Sequence, residues 1–569
     1  MSTPDTDRGL HVERLRVGFR SRHGDTVPVV HDLSFRLRPG RCLALVGESG
    51  SGKSVTARTV LGLAGDNAIV EADALTLHGE DLLGATERRW QRIRGTRIGF
   101  ILQDALVSLD PLRPVGAEIG ESISLHERLG RTARRNKVWE LLGRVGVPEP
   151  ALRARQRPGE LSGGLRQRAL IASAIALGPD IVVADEPTTA LDVTVQAQVL
   201  GVLKELLDAG TGVVLISHDL AVVAQLADDI LVMQGGRIVE SGPAADVLAD
   251  PRHPYTRQLI DAVPSEHTKG MRLTRGPAVH TAATLFPDSP SRTTDPGEIL
   301  LEARHVVKSY RGPDRVTRTV VDDVSFELAR GETLGVVGES GSGKSTLARI
   351  ALSLVTPDSG EIRYRGTPRP QGDNAEQRRI RRAISVVYQD PLSSFDPRWT
   401  VARILTDAIR LGDPAHARRP RPRALTLLDV VGLGEKQIDA RPATLSGGQR
   451  QRVAIARALA TGPEIIVLDE AVSALDVSVQ AQILDLLTDL QDQLGLSYLF
   501  ISHDLGVIHH MSDRVLVMQA GRAVEQGGAD RIFTDPREPY TQRLLASLPR
   551  LEYARLHNTR IDNQESIGV

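Results

Sequence analysis

Short apolar runs punctuate this chain, and they come in pairs. Residues 41–46 and 332–337 each end at a glycine-rich stretch. Asp180 to Asp185 and Glu464 to Asp469 end in acidic pairs, and Val213 to Ile216 and Tyr498 to Ile501 end just before Ser-His-Asp. Brief runs rich in β-branched residues predict strands buried on both faces of a parallel sheet. Elsewhere the period changes. Val195, Val199, Leu203 and Leu206 recur at helical spacing before Gly210, a predicted helix stop. Helices are also predicted to begin near Lys53 and Lys344. ILVMQGGRIVESG (230–242) and VLVMQAGRAVEQG (515–527) read as hairpins with small-residue turns. Strands alternating with helices imply a layered α/β domain, and the pairing of the runs implies two of them.

The duplication has a register. GESGSGKS occurs at 47–54 and again at 338–345, 291 residues later. At that offset Tyr310 falls on Phe19, and Val324-Ser325-Phe326 on Leu33-Ser34-Phe35. Later landmarks lie slightly closer: Gln103 and Gln389 are 286 apart, Asp185 and Asp469 284, His218 and His503 285. The lost residues fall between the loop and the middle of each half, where an inserted helical region is expected to absorb length change. Residues 264–297 hold Pro264, Pro277, Pro287, Pro290 and Pro296 among Ser, Thr, Gly and charges, the composition of a linker with little core of its own. The expected division is a first domain at 1–263, a linker at 264–297 and a second domain at 298–569. The polar tail from Leu551 is expected to be ragged.

Composition narrows the class. A chain of 569 residues exceeds one core. Its net charge of −1 supplies no field toward nucleic acid. The single cysteine, Cys42, builds no disulfide framework and no cysteine-ligated metal or iron–sulfur cluster. Within Cys42-Leu43-Ala44-Leu45-Val46 it reads as a small buried strand residue. MSTPDTDRGL lacks a signal-peptide pattern, and no apolar run approaches the ~18–20 residues of a membrane span. Work at a membrane would therefore require separate subunits to form the channel. Of 70 basic residues only seven are lysines, and two of these are Lys53 and Lys344, where a compact point charge on a slim stem suits phosphate.

The repeated motifs carry chemistry. Gly47, Glu48, Ser49, Gly50, Ser51, Gly52, Lys53 and Ser54, and again Gly338, Glu339, Ser340, Gly341, Ser342, Gly343, Lys344 and Ser345, fit a loop whose backbone N–H groups converge on nucleotide phosphates. The lysines are placed for β/γ-phosphates and Ser54 and Ser345 for Mg²⁺. Asp185 and Asp469 are candidate Mg²⁺ holders. Glu186 and Glu470 are candidate general bases toward an attacking water. LSGG at 161–164 and 445–448 opens a helix. Ser162 and Ser446 are natural N-caps, and Gly163-Gly164 and Gly447-Gly448 permit close approach of a ligand, though alone the motif reads equally as an ordinary capped helix. Alone, His218, His503, Gln103 and Gln389 would be unremarkable.

Phosphate loop, Gln, LSGG, Asp-Glu, ALD and SHD, in that order and twice, resemble the ATP-binding-cassette ATPases over nearly the whole of both halves. QDALVSLDP (103–111), QDPLSSFDP (389–397), HPYTRQLIDAVP (253–264) and EPYTQRLLASLP (538–549) resemble segments of the oligopeptide, dipeptide and nickel importer ATPases, so the chain looks like a fused pair of such subunits. The resemblance implies two tandem P-loop domains, each with a RecA-like core, an antiparallel β subdomain and a helical subdomain. It implies ATP and Mg²⁺ as cofactors and ATP hydrolysis coupled to transport. It also implies composite sites formed as the halves pair within the chain: the loop at 47–54 faces Ser446, Gly447 and Gly448, and the loop at 338–345 faces Ser162, Gly163 and Gly164. Phe19 and Tyr310 would stack on adenine, Gln103 and Gln389 would touch Mg²⁺ or its water, and His218 and His503 would hold the γ-phosphate. Two integral membrane permeases and an extracytoplasmic solute-binding protein are the implied partners, with no nucleic acid, at the cytoplasmic face of the cell membrane. Two departures stand out: Leu165 replaces the usual Gln and Ala471 the common Pro. The competing readings are a twin-cassette translation factor on the ribosome and the ATPase pair of an exporter. A short, proline-punctuated linker and the Pro-Tyr-Thr tails argue against the first.

Overall fold

Each apolar run is a strand with every residue, or nearly every one, out of water. The computed structural model describes residues 8–548 apart from 22–23, 104–107, 190, 266–267, 277–296, 313–314, 370–374 and 413–417. It divides into two units, one ending at Asp261 and one spanning Ala262–Leu548. In the first unit six strands lie in the spatial order Arg237–Pro243, Asp229–Gln234, Cys42–Val46, Gly212–Ile216, Ile181–Asp185, Ile98–Ile101. All neighbours are parallel except the Arg237–Pro243 edge, which closes a hairpin. The second unit repeats this order with Arg522–Gly528, Arg514–Gln519, Thr333–Val337, Ser497–Ile501, Ile465–Asp469 and Ile384–Val387.

The strands lack polar alternation because both faces are covered. Cys42, Val182, Ala184, Val213 and Leu215 face a core shared with the helices Val115–His126, Gly163–Ala174 and Val193–Asp208. Leu43, Leu45, Val183, Val214 and Ile216 face a second core, shared with Leu10, Val12, Phe35 and Leu75 of an antiparallel sheet. Each fully buried Val, Leu or Ile contributes roughly 1.5–3 kcal/mol. Cys42 is buried, its N–H bonded to Asp228 at 2.7 Å, and burial pushes its thiol up, out of the reactive range. Both units therefore carry a parallel core, an antiparallel sheet and a helical region. The last is Val115–His126, Arg131–Arg144 and Gly163–Ala174 in one, and Val401–Gly412, Pro420–Val430 and Gly447–Leu459 in the other.

Two features differ from the sequence reading. The length difference between the halves does not sit in a helical insertion. Leu77 and Tyr364 are the counterparts that pair with Leu10 and Leu301, and they lie 287 residues apart, so most of the loss precedes them. The first antiparallel sheet has five strands, including Ala68–Glu71 against Arg16–Phe19, whereas the described second sheet has four. An edge strand is cheap to delete because only one neighbour loses hydrogen bonds. The second feature lies in the expected linker, of which 266–267 and 277–296 fall outside the described residues. Its first part packs on the second unit. Asp485, buried in the helix Val477–Leu494, accepts the N–H groups of Leu273 and Thr274, each at 2.9 Å, and the Thr274 hydroxyl at 2.6 Å. Leu273 is itself buried, and Arg272 bonds Asp489 at 2.6 Å.

The hairpin turns need unusual backbone. Gly235 and Gly236 have φ of 55° and 78°, and Ala520 and Gly521 have 48° and 88°, the two-residue turn that matches strand twist. The residues from Leu551 onward, and the last proline of the second tail, lie outside the described residues.

Candidate active sites

The parallel strands place the predicted chemistry at their carboxyl ends, where open α/β sheets bind ligands. Strand Cys42–Val46 delivers the loop at 47–54, its parallel neighbour Gly212–Ile216 delivers His218, and Ile181–Asp185 delivers the acidic pair. The second unit does the same with Thr333–Val337, Ser497–Ile501 and Ile465–Asp469.

The two loops have matching geometry. Lys53 Nζ donates to the carbonyls of Gly47 at 2.7 Å and Glu48 at 2.8 Å, and Lys344 Nζ does the same to Gly338 and Glu339 at the same distances. Gly47 and Gly338 have φ of 147° and 148°, and a Cβ there would lie 2.2 and 2.1 Å from the carbonyl oxygens of Met233 and Met518, so only glycine fits. The hairpin turns brace the loops: Gly236 N–H donates to the Ser51 carbonyl and Gly521 N–H to that of Ser342, each at 3.1 Å. Tyr255 Oη accepts from Glu48 N–H at 2.9 Å, and Tyr540 Oη from Glu339 N–H at 3.0 Å. The sequence reading noted these tyrosines only as part of the tails. Helices start at Lys53 and Lys344, aiming their N-termini at the loop.

Beside each loop lie the oxygens expected for a metal. Ser54 Oγ donates to Asp185 at 3.1 Å and Ser345 Oγ to Asp469 at 3.4 Å. Burial pushes the Asp185 carboxyl up, the Ser54 bond opposes it, and the Glu186 charge adds to the rise. At Asp469 burial and the Glu470 charge raise it while Ser345 opposes. A buried aspartate crowded by a second carboxylate, with a hydroxyl at hand, suits a hard divalent cation. No cluster of three or more His, Cys, Asp or Glu able to hold a metal occurs among the described residues, so phosphate and water oxygens would have to complete the shell.

The glutamates are poised differently from the aspartates. Glu186 Oε1 lies 3.2 Å from His218 Nδ1, and Glu470 Oε2 3.5 Å from His503 Nδ1. Burial pushes Glu186 up, but the bond and charge of His218, the Thr189 hydroxyl and Lys53 outweigh it and leave the carboxyl below its ordinary value. Burial pushes His218 down, and Glu186 more than reverses this, so the imidazole stands above its ordinary value. The second pair shifts in the same directions, with His503 and Lys344 acting on Glu470 and no hydroxyl adding to them. Gln103 Nε2 donates to Glu186 at 2.7 Å and Thr189 Oγ1 at 3.0 Å. Among the described residues no bond joins Gln389 to Glu470. Ser473, the counterpart of Thr189, bonds the Glu470 main-chain carbonyl at 3.0 Å instead.

Ser162 and Ser446 cap the helices Gly163–Ala174 and Gly447–Leu459. In the second unit Gln449 returns a bond to Ser446 N–H at 3.1 Å, completing a capping box. Leu165 has no group with which to do so. The paired glycines divide their roles. A Cβ on Gly164 or Gly448 would strike Val195 at 2.7 Å or Val479 at 2.4 Å, so these serve packing, whereas around Gly163 and Gly447 there is open space beyond ordinary contact. Phe19 pairs with Val27 on one antiparallel sheet, half-buried. Tyr310 pairs with Arg318 on the other, exposed, with Lys308 over its ring. Hydrogen bonds do not link either aromatic, or either LSGG serine, to the loop of its own unit among the described residues.

Two matching α/β units, each presenting a phosphate loop beside an Asp-Glu pair and a histidine, define a tandem nucleoside triphosphatase. The family model for the ABC transporter matches residues 30–189 and 321–473, and that for the oligopeptide/dipeptide transporter C-terminal region matches 239–284 and 524–567. The chain belongs to the ABC transporter family, as an ATPase with two tandem cassettes, each followed by that C-terminal region. It is 43% identical to the oligopeptide transport ATP-binding protein OppD of Mycobacterium tuberculosis over 96% of this chain and 99% of the relative. It is 40% identical to the glutathione import ATP-binding protein GsiA of Escherichia coli over 98% and 92%. Among solved structures, a complex of archaeal ribosomal stalk protein aP1 with ribosome recycling factor aABCE1 aligns with a TM-score of 0.56 at 20% identity, covering 91% of this chain and 89% of that one, a likeness of fold alone.

Proposed function

We propose that this ATPase drives a membrane importer of peptides and related small solutes. It would sit at the cytoplasmic face of the membrane, working with two integral permeases and an extracytoplasmic solute-binding protein that select the cargo. The observation that carries the reading is the oligopeptide/dipeptide transporter C-terminal region, which follows both cassettes. End-to-end similarity to proteins named for oligopeptide transport and glutathione import, both peptidic solutes, supports it. No described helix is long and apolar enough to cross a membrane, which agrees with a channel supplied by partners. Likeness to the ribosome recycling factor extends to fold only, and a net charge of −1 gives no pull toward RNA.

The residues take these roles. Loop N–H groups and Lys53 or Lys344 bind the phosphates. Magnesium, held through Ser54 and Asp185 or Ser345 and Asp469, would neutralise charge across the β- and γ-phosphates. Glu186 and Glu470 accept the proton of the attacking water, His218 and His503 hold the γ-phosphate, and Gln103 and Gln389 report on the permease. Phe19 and Tyr310 stack on adenine. Each site is completed by Ser162-Gly163 or Ser446-Gly447 of the opposite half within one chain, so closure of the halves moves the permeases. Affinity purification from native membranes should recover two integral membrane proteins. Recovery of ribosomal subunits, with growth on peptides unaffected by deletion of the gene, would overturn the reading.

A further inference from the structure

We infer that Tyr255 and Tyr540, in the tails after the cassettes, are positioning residues for the two phosphate-loop lysines. The Gly47–Glu48 peptide is trans, so its N–H and C=O point in opposite directions. Its N–H donates to Tyr255 Oη at 2.9 Å, and its C=O accepts from Lys53 Nζ at 2.7 Å. The tyrosine and the lysine thus grip the two ends of one dipole. The Gly338–Glu339 peptide repeats this with Tyr540 at 3.0 Å and Lys344 at 2.7 Å.

The peptide needs such a grip. It follows a glycine at φ 147° or 148°, which has no Cβ to resist rotation of the next plane. Without an acceptor for the N–H, the carbonyl that anchors the lysine is free to turn. The tyrosines are in turn held firmly. Both are buried, at the start of the helices Pro254–Asp261 and Pro539–Ala546. The turn before each helix is clasped by a carboxylate on the hairpin. Glu240 accepts Arg252 and His253 N–H at 2.7 and 3.0 Å, and Glu525 accepts Arg537 and Glu538 N–H at 3.0 and 3.2 Å. The tail therefore reaches the ammonium through one tyrosine and one peptide, twice over in the chain.

This inference rests on the proposed role of the lysines in phosphate binding, and the test separates the two. Trinitrophenyl-ATP affinity is measured by fluorescence on the full chain with Tyr255→Phe and Tyr540→Phe together, with Lys53→Met and Lys344→Met together, and with all four. Phenylalanine keeps the buried ring and removes only Oη, and thermal melting without nucleotide monitors folding. The tyrosine pair should weaken binding about 3- to 10-fold in the wild-type background, and should add no further loss once the lysines are gone. Equal losses in both backgrounds would make the tyrosines merely structural, and no loss in the wild type would also overturn the inference. Lysine variants that bind like wild type would overturn the phosphate-loop reading itself, and the inference with it.

Discussion

Glu186 and Glu470 carry φ of 50° and 52°, a region that costs a non-glycine residue roughly 1–3 kcal/mol. Their N–H groups bond Ile216 and Ile501 on the neighbouring strands at 2.9 Å, which holds the strained turn in place. Each carboxylate lies beside its histidine, and the pairing has a pH signature. His218 stands above its ordinary 6.5, so its contribution to stability is complete below about that pH and is lost as pH rises through the folded value. Glu186 stands below its ordinary 4.5, so its contribution is present above that and is lost as pH falls through the depressed value. His218→Gln with His503→Gln should flatten the decline of the urea midpoint of the nucleotide-free chain above pH 6.5. An unchanged decline would contradict the pairing. At this scale the lysines, aspartates, glutamates and histidines were legible because each lies inside a short motif. Tyr255 was not, because its bond to Glu48 spans 207 residues, and the available signal was a tyrosine at the same place in both tails. The split between Gly163 and Gly164 was hidden too, since the collision with Val195 depends on helix packing.

Strands and hairpins followed the apolar runs closely. The run from Asp180 became the strand Ile181–Asp185, and the Gly-Gly and Ala-Gly turns fell where small residues stood. The extra strand Ala68–Glu71 escaped notice because AIVE is four residues long, has no buried residue and is without a repeat in the other half. Residues 268–276 escaped for a different reason. Their composition is that of a linker, and the contacts that hold them, foremost the buried Asp485 carboxylate, come from residues more than 200 positions away. Asp485→Ala would leave two N–H groups and a hydroxyl without their acceptor, a cost of about 2–3 kcal/mol. Trypsin should then cut after Arg272 much faster than in wild type. Equal cleavage rates would show that the segment is held by other contacts.

At the scale of the whole molecule, duplication is the organising fact. The second half repeats the first in sheet order, loop geometry, acid–histidine pairing and tail attachment. The departures are local: Gln103 and Thr189 bond Glu186, Gln389 and Ser473 leave the Glu470 carboxylate alone, and Leu165 forgoes the capping box. None removes Lys344, Ser345, Asp469, Glu470 or His503, so under the proposed roles both sites are expected to turn over ATP. General-base removal costs about 10²–10⁴ in rate at its own site. The most direct measurement is steady-state ATP hydrolysis by the reconstituted transporter with Glu186→Gln or Glu470→Gln, each alone. Two working sites predict that either replacement lowers turnover to about half of wild type or below. Wild-type turnover with either replacement would contradict the account and mark that site as one that binds ATP without hydrolysing it.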